Sequence, residues 1–161
     1  MSAITKESRA ARLGRDVHIN LLILASQAID QIEEVCATEG ITHSQYAALW
    51  TLCLAENTDD GIPLGEIADG LLTRAADVTR LVDRLEQSGL AERVPNPTDR
   101  RSVLVRVTPE GRQRFERLVP KVQDFHRRQW TFLDTEELSA FDALLVKAMW
   151  RGEHRADGEQ R

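Results

Sequence analysis

The segment Arg93–Gly111, RVPNPTDRRSVLVRVTPEG, constrains the fold of this chain more than any other. Pro95 and Pro97 fix φ and remove backbone donors, so no helix passes through them. On either side lie β-prone runs, Leu90–Val94 and the alternating V-L-V-R-V of Val103–Val107. The Pro-Asn-Pro-Thr-Asp linker continues neither strand, and the pair reads as a β-hairpin with Arg100 and Arg101 at its tip or on the returning strand. The chain has a formal net charge of −5, yet residues 74–117 hold 10 Arg against 7 Asp and Glu, a balance of +3. Charge matters locally, because screening limits it to a Debye length of ~8–10 Å. A basic hairpin on an acidic body is compatible with binding a phosphate backbone.

The flanking sequence reads as helices. Val17, Leu21, Leu24, Ala28, Ile32 and Val35 recur at steps of three and four, which predicts a long amphipathic helix from about Arg15 to Thr38, closed by Gly40. Thr42 and Gln45 have capping-box spacing, with Ile41 and Tyr46 as a hydrophobic staple for a second helix through Leu49, Trp50 and Cys53. After the polar loop ENTDDG, a short helix runs from about Pro63 to Gly70. Thr73 then stands as N-cap of TRAADVTRLVDRLEQSG, whose apolar face is Val78, Leu81, Val82 and Leu85, with Gly89 as its stop. Two short helices joined by a tight turn form a helix-turn-helix, and the second is the one that enters a major groove. At 100° per residue, the face opposite the apolar stripe holds Thr73, Ala76, Asp77, Arg80, Asp83, Arg84 and Gln87. A hairpin directly after such a helix is a wing, whose tip reaches the adjacent minor groove, where an arginine suits the enhanced negative potential. Asp99 reads as a carboxylate that braces the neighbouring arginines.

Thr108-Pro109-Glu110 supplies a capping hydroxyl, a first-turn proline and a carboxylate at the positive end of the helix dipole, so a further helix runs towards Trp130 and bends near Pro120. Asp134-Thr135-Glu136-Glu137 caps a last helix carrying Leu138, Phe141, Leu145 and Met149 or Trp150. The expected fold is mostly α with a small β-wing. The segments divide as 1–45, an N-terminal helical region; 46–110, a winged helix-turn-helix domain; and 111–161, C-terminal helices.

The motif D-R-R-S-V-L-V-R-V-T-P-E-G at 99–111 resembles the D-x-R-x-x-x-V-x-L-T-x-x-G signature of the MarR (multiple antibiotic resistance regulator) family of winged helix-turn-helix regulators. Asp99, Arg101, Val105, Thr108 and Gly111 fall on it, with Val107 in place of leucine. V-T-R-L-V-D-R-L-E-x-x-G-L at 78–90 is similar to the family's recognition helix. The resemblance implies a ligand-responsive repressor that binds a near-palindromic operator as a homodimer, with 1–45 and 111–161 as its dimerisation regions. It implies major-groove or phosphate contacts from Thr73, Arg74, Ala76, Asp77, Thr79, Arg80 and Arg84, and a minor-groove contact from Arg101 with Arg100 beside it. Asp77 either accepts from a cytosine amino group or supports Arg74 or Arg80. Many family members release DNA when a small, often phenolic or carboxylated, molecule binds between the dimerisation helices and the winged domain, which implies a small aromatic or phenolic acid, or its thioester, as effector here. Arg15, His18, Tyr46 and Trp50 are the matching candidates here; the sequence alone also reads Arg15 as a solvated charge, Tyr46 as a staple and Trp50 as core.

Other classes find little support. There is no G-x-S-x-G elbow, phosphate-cradling glycine loop or H-E-x-x-H, so no enzyme and no cofactor are expected. His18, His43, His126 and His154 are dispersed, which argues against a metal site. Cys36 and Cys53 lack a C-x-x-C pair and read as reduced, structural thiols. No apolar run approaches the ~18 residues that span a bilayer, and MSAITKESRAARLGRD has no secretory apolar core, so a cytoplasmic protein is expected. The rival reading is a winged module that binds protein instead of DNA.

Overall fold

The computed structural model describes residues 8–55, 60–71, 75–99 and 102–158, with the backbone alone at 75–76 and 150–158. The elements are α1 (Arg9–Ala37), α2 (His43–Leu54), β1 (Ile62–Pro63), α3 (Leu64–Leu71), α4 (Ala75–Gln87), β2 (Ala91–Pro95), β3 (Val103–Val107), α5 (Pro109–Gln129) and α6 (Thr135–Gly158). They form a mostly helical protein with one small sheet. Met1–Val122 and Gln123–Arg161 are separate compact units, and the boundary falls within α5.

α1 begins where the Ser8 hydroxyl accepts from Ala11 N at 3.1 Å, six residues before the expected start. It ends before Gly40, whose φ of 69° is left-handed as predicted. Of its apolar stripe only Ile32 is buried, joined by Cys36; Leu24, Ala28 and Val35 are half-buried. Leu13, Val17, Ile19, Leu21, Leu22, Ile23 and Ile29 are exposed. α1 meets α2 through its last turns, where the Glu33 carboxylate accepts from His43 N at 2.9 Å. The capping box of α2 forms in full, Thr42 Oγ1 accepting from Gln45 N and Gln45 Oε1 from Thr42 N, with Ile41 and Tyr46 both buried.

The core of the first unit is built by periodicity. Leu49 and Leu52 of α2, Ile67 of α3, and Val78, Leu81, Val82 and Leu85 of α4 are buried with Leu90, Leu104, Val105 and Val107 of the hairpin. Each such side chain contributes on the order of 1.5–3 kcal/mol relative to exposure. The sheet is antiparallel in the order β1-β3-β2, with Arg93 opposite Val105 and Ile62 on the other side of the same residue. β1 is absent from the sequence reading because two residues carry no period. Gly61 admits it: at φ 88° its α-carbon lies so near β3 that a β-carbon would stand 2.9 Å from the Val105 carbonyl oxygen.

α5 starts at Pro109, capped by Thr108 Oγ1, which accepts from Gly111 N at 3.0 Å and donates to the Gly89 carbonyl at 2.7 Å. Phe115, Leu118 and Val122 bury in the first unit. Glu39 at the end of α1 receives Arg117 (2.8 Å) and Lys121 (2.7 Å), whose hydrogen bonds, Lys121's above all, hold its carboxyl below the usual range. α5 continues through Pro120 as one helical segment. In the second unit Asp134 Oδ1 caps α6, accepting from Glu136 N and Glu137 N, as its sequence predicted. Leu138, Phe141 and Leu145 are half-buried, Trp130 packs on Phe141 at 5.8 Å, and Leu144, Val146 and Met149 are exposed.

Candidate nucleic-acid interface

α4 presents a polar outer side beside the β2–β3 hairpin. Val78, Leu81, Val82 and Leu85 turn inward, and Asp77, Thr79, Arg80, Arg84 and Gln87 are exposed. Asp77 and Arg84 also line a cleft of about 460 Å³ with His43, Ser44 and Ala47 of α2, Leu71 of α3 and Leu81. Thr73, Arg74, Arg100 and Arg101 lie outside the described residues, as does the side chain of Ala76, whose backbone belongs to the first turn of α4.

Asp83 requires a correction. The helical projection places it on the outer face with the arginines, but it is half-buried and turned to the wing. Arg93 of β2 reaches back to α4 with both terminal nitrogens, one 2.7 Å from Asp83 Oδ1 and the other bonded to Glu86 Oε2. The Arg93 backbone N–H donates to Glu86 Oε1 at 2.8 Å. Burial works against the Arg93 charge, and the two carboxylates more than offset it, so its pKa sits above the ordinary arginine value. Helix and wing are thus joined by a forked arginine, a role the sequence reading did not assign.

A second unassigned residue shapes the wing loop. Asn96 Oδ1 accepts from Thr98 N (2.9 Å), Thr98 Oγ1 (2.8 Å) and Asp99 N (3.3 Å), while its amide nitrogen donates to Ser102 Oγ at 2.7 Å. Ser102 closes the loop by donating from N and Oγ to the Asp99 carbonyl. Asn followed by Pro-Thr-Asp is the chemistry of an Asx-turn, so a signal existed in the sequence. The structure gives Asp99 a role in the loop through its backbone. Along the hairpin, Glu92 and Arg106 face each other in register and pair at 2.7 Å.

The four candidate ligand residues are not brought together within one chain. Tyr46 and Trp50 meet edge-on at 6.2 Å, and both contact Phe115 of α5 at 5.8 Å. Tyr46 is buried, and its hydroxyl has no hydrogen-bond partner among the described residues; Trp50 is 45% exposed. Burial, helped by Cys36, pushes the Tyr46 hydroxyl up to about 12. Arg15 and His18 are exposed on α1, Arg15 3.8 Å from Asp16. His18 precedes the α2 contact at Glu33 by fifteen residues, roughly 22 Å of helix at 1.5 Å per residue. Burial, then Glu33, pushes the Cys36 thiol up to about 11, and burial raises Cys53 as well. Among the described residues no group of three His, Cys, Asp or Glu is placed to hold a metal ion, and no helix is long and apolar enough to cross a membrane.

A sequence model of the MarR family matches residues 39–102, from the end of α1 to the start of β3. The Multiple antibiotic resistance protein MarR of Escherichia coli is 32% identical over 140 residues, 85% of this chain and 90% of that protein. The chain belongs to the MarR family of transcriptional regulators. Its relatives are regulators and not enzymes. The HTH-type transcriptional repressor MdtR of Bacillus subtilis is 29% identical over 129 residues, 80% of this chain and 81% of MdtR. Among solved structures, a cysteine-to-serine mutant of E. coli MarR complexed with operator DNA is similar with a TM-score of 0.72 and 30% identity, covering 91% of this chain and 99% of that one. Bordetella bronchiseptica BpsR, whose DNA binding is regulated by 6-hydroxynicotinic acid, is similar with a TM-score of 0.70 and 25% identity, covering 83% and 98%. In MarR-family terms α3 and α4 are the helix-turn-helix and β2–β3 the wing.

Proposed function

We propose that this MarR-family chain is a cytoplasmic, ligand-responsive repressor that binds a near-palindromic operator as a homodimer and leaves it on binding a small aromatic or phenolic acid, or its thioester. The observation that carries the reading is the outer side of α4, with Asp77, Thr79, Arg80 and Arg84 exposed and the wing fastened beside it by Arg93. On duplex DNA, Thr79, Arg80 and Arg84, with Thr73, Arg74 and Ala76, take the major groove and its phosphates. Arg100 and Arg101 take the minor groove. The operator complex of E. coli MarR supports this placement by analogy.

Support for the homodimer comes from α1. Seven large apolar residues between Leu13 and Ile29 are exposed in the single chain. About half exposed, each forgoes roughly half of the ~1.5–3 kcal/mol that full burial contributes. A two-fold partner covering them sets two recognition helices about one DNA turn, ~34 Å, apart. The effector reading rests on the Tyr46–Trp50–Phe115 cluster, which offers aromatic surface and a hydroxyl with no partner among the described residues, and on the aromatic acid named for BpsR. In a dimer, Arg15 and His18 reach such a site only from the partner's α1 or after rearrangement.

The test is fluorescence anisotropy with DNA flanking the protein's own gene, titrated at several salt concentrations, with aromatic acids and their thioesters then screened for release. Wild type binds with a steep salt dependence, which Arg100→Ala with Arg101→Ala flattens. Affinity untouched by that pair favours the protein-binding module. A monomer at micromolar concentration by light scattering contradicts the dimer, and a reporter that rises with the protein's level contradicts repression.

A further inference from the structure

Counted along its sequence, α4 is a poor surface to offer DNA. Between Ala75 and Gln87 it carries Asp77, Asp83 and Glu86 against Arg80 and Arg84. Two of those three carboxylates are answered by one residue outside the helix, Arg93, which spans Asp83 and Glu86 and also fastens its backbone to Glu86. The two carboxylates are three residues apart and therefore on one side of α4, where the separate nitrogens of a planar guanidinium serve both. Their side chains keep 48% and 32% of their exposure, so they are turned to the wing without being sealed from water.

We propose that Arg93 is a positioning residue for DNA recognition, holding Asp83 and Glu86 against the wing so that Asp83 does not take Arg80 away from phosphate. The inference rests on the DNA-binding reading above. Released from Arg93, Asp83 stands three residues after Arg80, the spacing of an intrahelical ion pair. Such a pair replaces a phosphate contact with an internal one and leaves an extra negative charge facing the duplex. Arg93 needs no contact with DNA to act in this way.

The test compares wild type, Arg93→Ala, and the triple variant Arg93→Ala, Asp83→Asn, Glu86→Gln on the DNA fragment that wild type retains, across a salt series, with a thermal melt of each. Arg93→Ala weakens binding about tenfold near 0.1 M salt and lowers the slope of log K against log salt by about one, the share of one phosphate contact. The triple variant still lacks the brace but no longer has carboxylates to release, and it returns to within about threefold of wild type with its slope restored. A purely structural brace predicts the opposite, because neutral side chains do not rebuild the link to β2. Should Arg93→Ala fail to fold, Arg93→Lys against Arg93→Lys with Asp83→Asn makes the same comparison, the second binding more tightly. A triple variant, or lysine double variant, no better than its parent overturns the inference, as does Arg93→Ala binding within about twofold of wild type. Wild type that retains no DNA overturns the DNA-binding reading itself.

Discussion

Replacing Gly111 with alanine would drive a methyl group into backbone. A β-carbon there stands 2.0 Å from the Leu90 carbonyl oxygen, 2.9 Å from the carbonyl carbon and 3.0 Å from a Val107 methyl. Leu90 cannot yield freely. Its carbonyl accepts from Thr108 N at 3.1 Å, and it is itself buried between α4 and β2. The first turn of α5 must therefore lift away from residues 89–90, which stretches that bond and the one from Thr108 Oγ1 to the Gly89 carbonyl. Overpacking costs about 1–3 kcal/mol, at the upper end where the obstacle is backbone. Two weakened hydrogen bonds add about 1 kcal/mol each. Alanine's better helix propensity returns up to about 1 kcal/mol. The net loss is about 4 kcal/mol, a fall in Tm of roughly 8–16 °C for a chain of this length. Urea and thermal unfolding followed by circular dichroism at one fixed protein concentration measure it, because an oligomer's stability depends on concentration. Gly65→Ala is the control: nothing lies within 4 Å of its added β-carbon, and the change is neutral to stabilising by up to about 1 kcal/mol. A loss below about 1 kcal/mol for Gly111→Ala would refute the packing argument and with it the reason given for glycine at this place in the motif.

Three further outcomes are expected. Asn96→Ala frees the wing loop, so the amides of Thr98, Asp99 and Ser102 exchange hydrogen faster and DNA affinity falls several-fold; Asn96→Asp, which keeps the acceptor, lies between, and unchanged exchange in the alanine variant would show that the loop holds itself. Glu39 binds fewer protons folded than unfolded, because Lys121 and Arg117 hold its carboxyl below its ordinary value, so its contribution is present above about pH 4.3 and disappears as pH falls through the lowered folded value. Urea midpoints of Glu39→Gln therefore fall less steeply than wild type on acidification over that range, and parallel curves would remove Glu39 from the acid response. The Cys36 thiol, pushed up to about 11, stays protonated at neutral pH, so iodoacetamide followed by mass spectrometry labels it only on unfolding and peroxide leaves DNA binding unchanged; rapid native labelling would contradict its burial.

Local chemistry is what the sequence displays most openly. The capping box of Thr42 and Gln45, the Asp134 cap, the left-handed Gly40, the Gly89 stop and the inward stripe of α4 all involve residues a few positions apart, and all stand as read. The hairpin differs by one residue at its first strand. Contacts between residues distant in the chain were not legible. Phe115 joins Tyr46 across nearly seventy positions, and β1 pairs with a strand some forty residues later. The candidate DNA face shows why this matters for function. A helical projection places Asp83 by its angle alone and therefore counts it with Arg80 and Arg84, but whether a carboxylate opposes DNA depends on what else it touches. Arg93 comes seven residues after Glu86, beyond a glycine stop, so only the turn at 88–90 brings it back alongside α4. Charge summed along α4 thus overstates its free acidity, because the arginine of a neighbouring strand already answers Asp83 and Glu86.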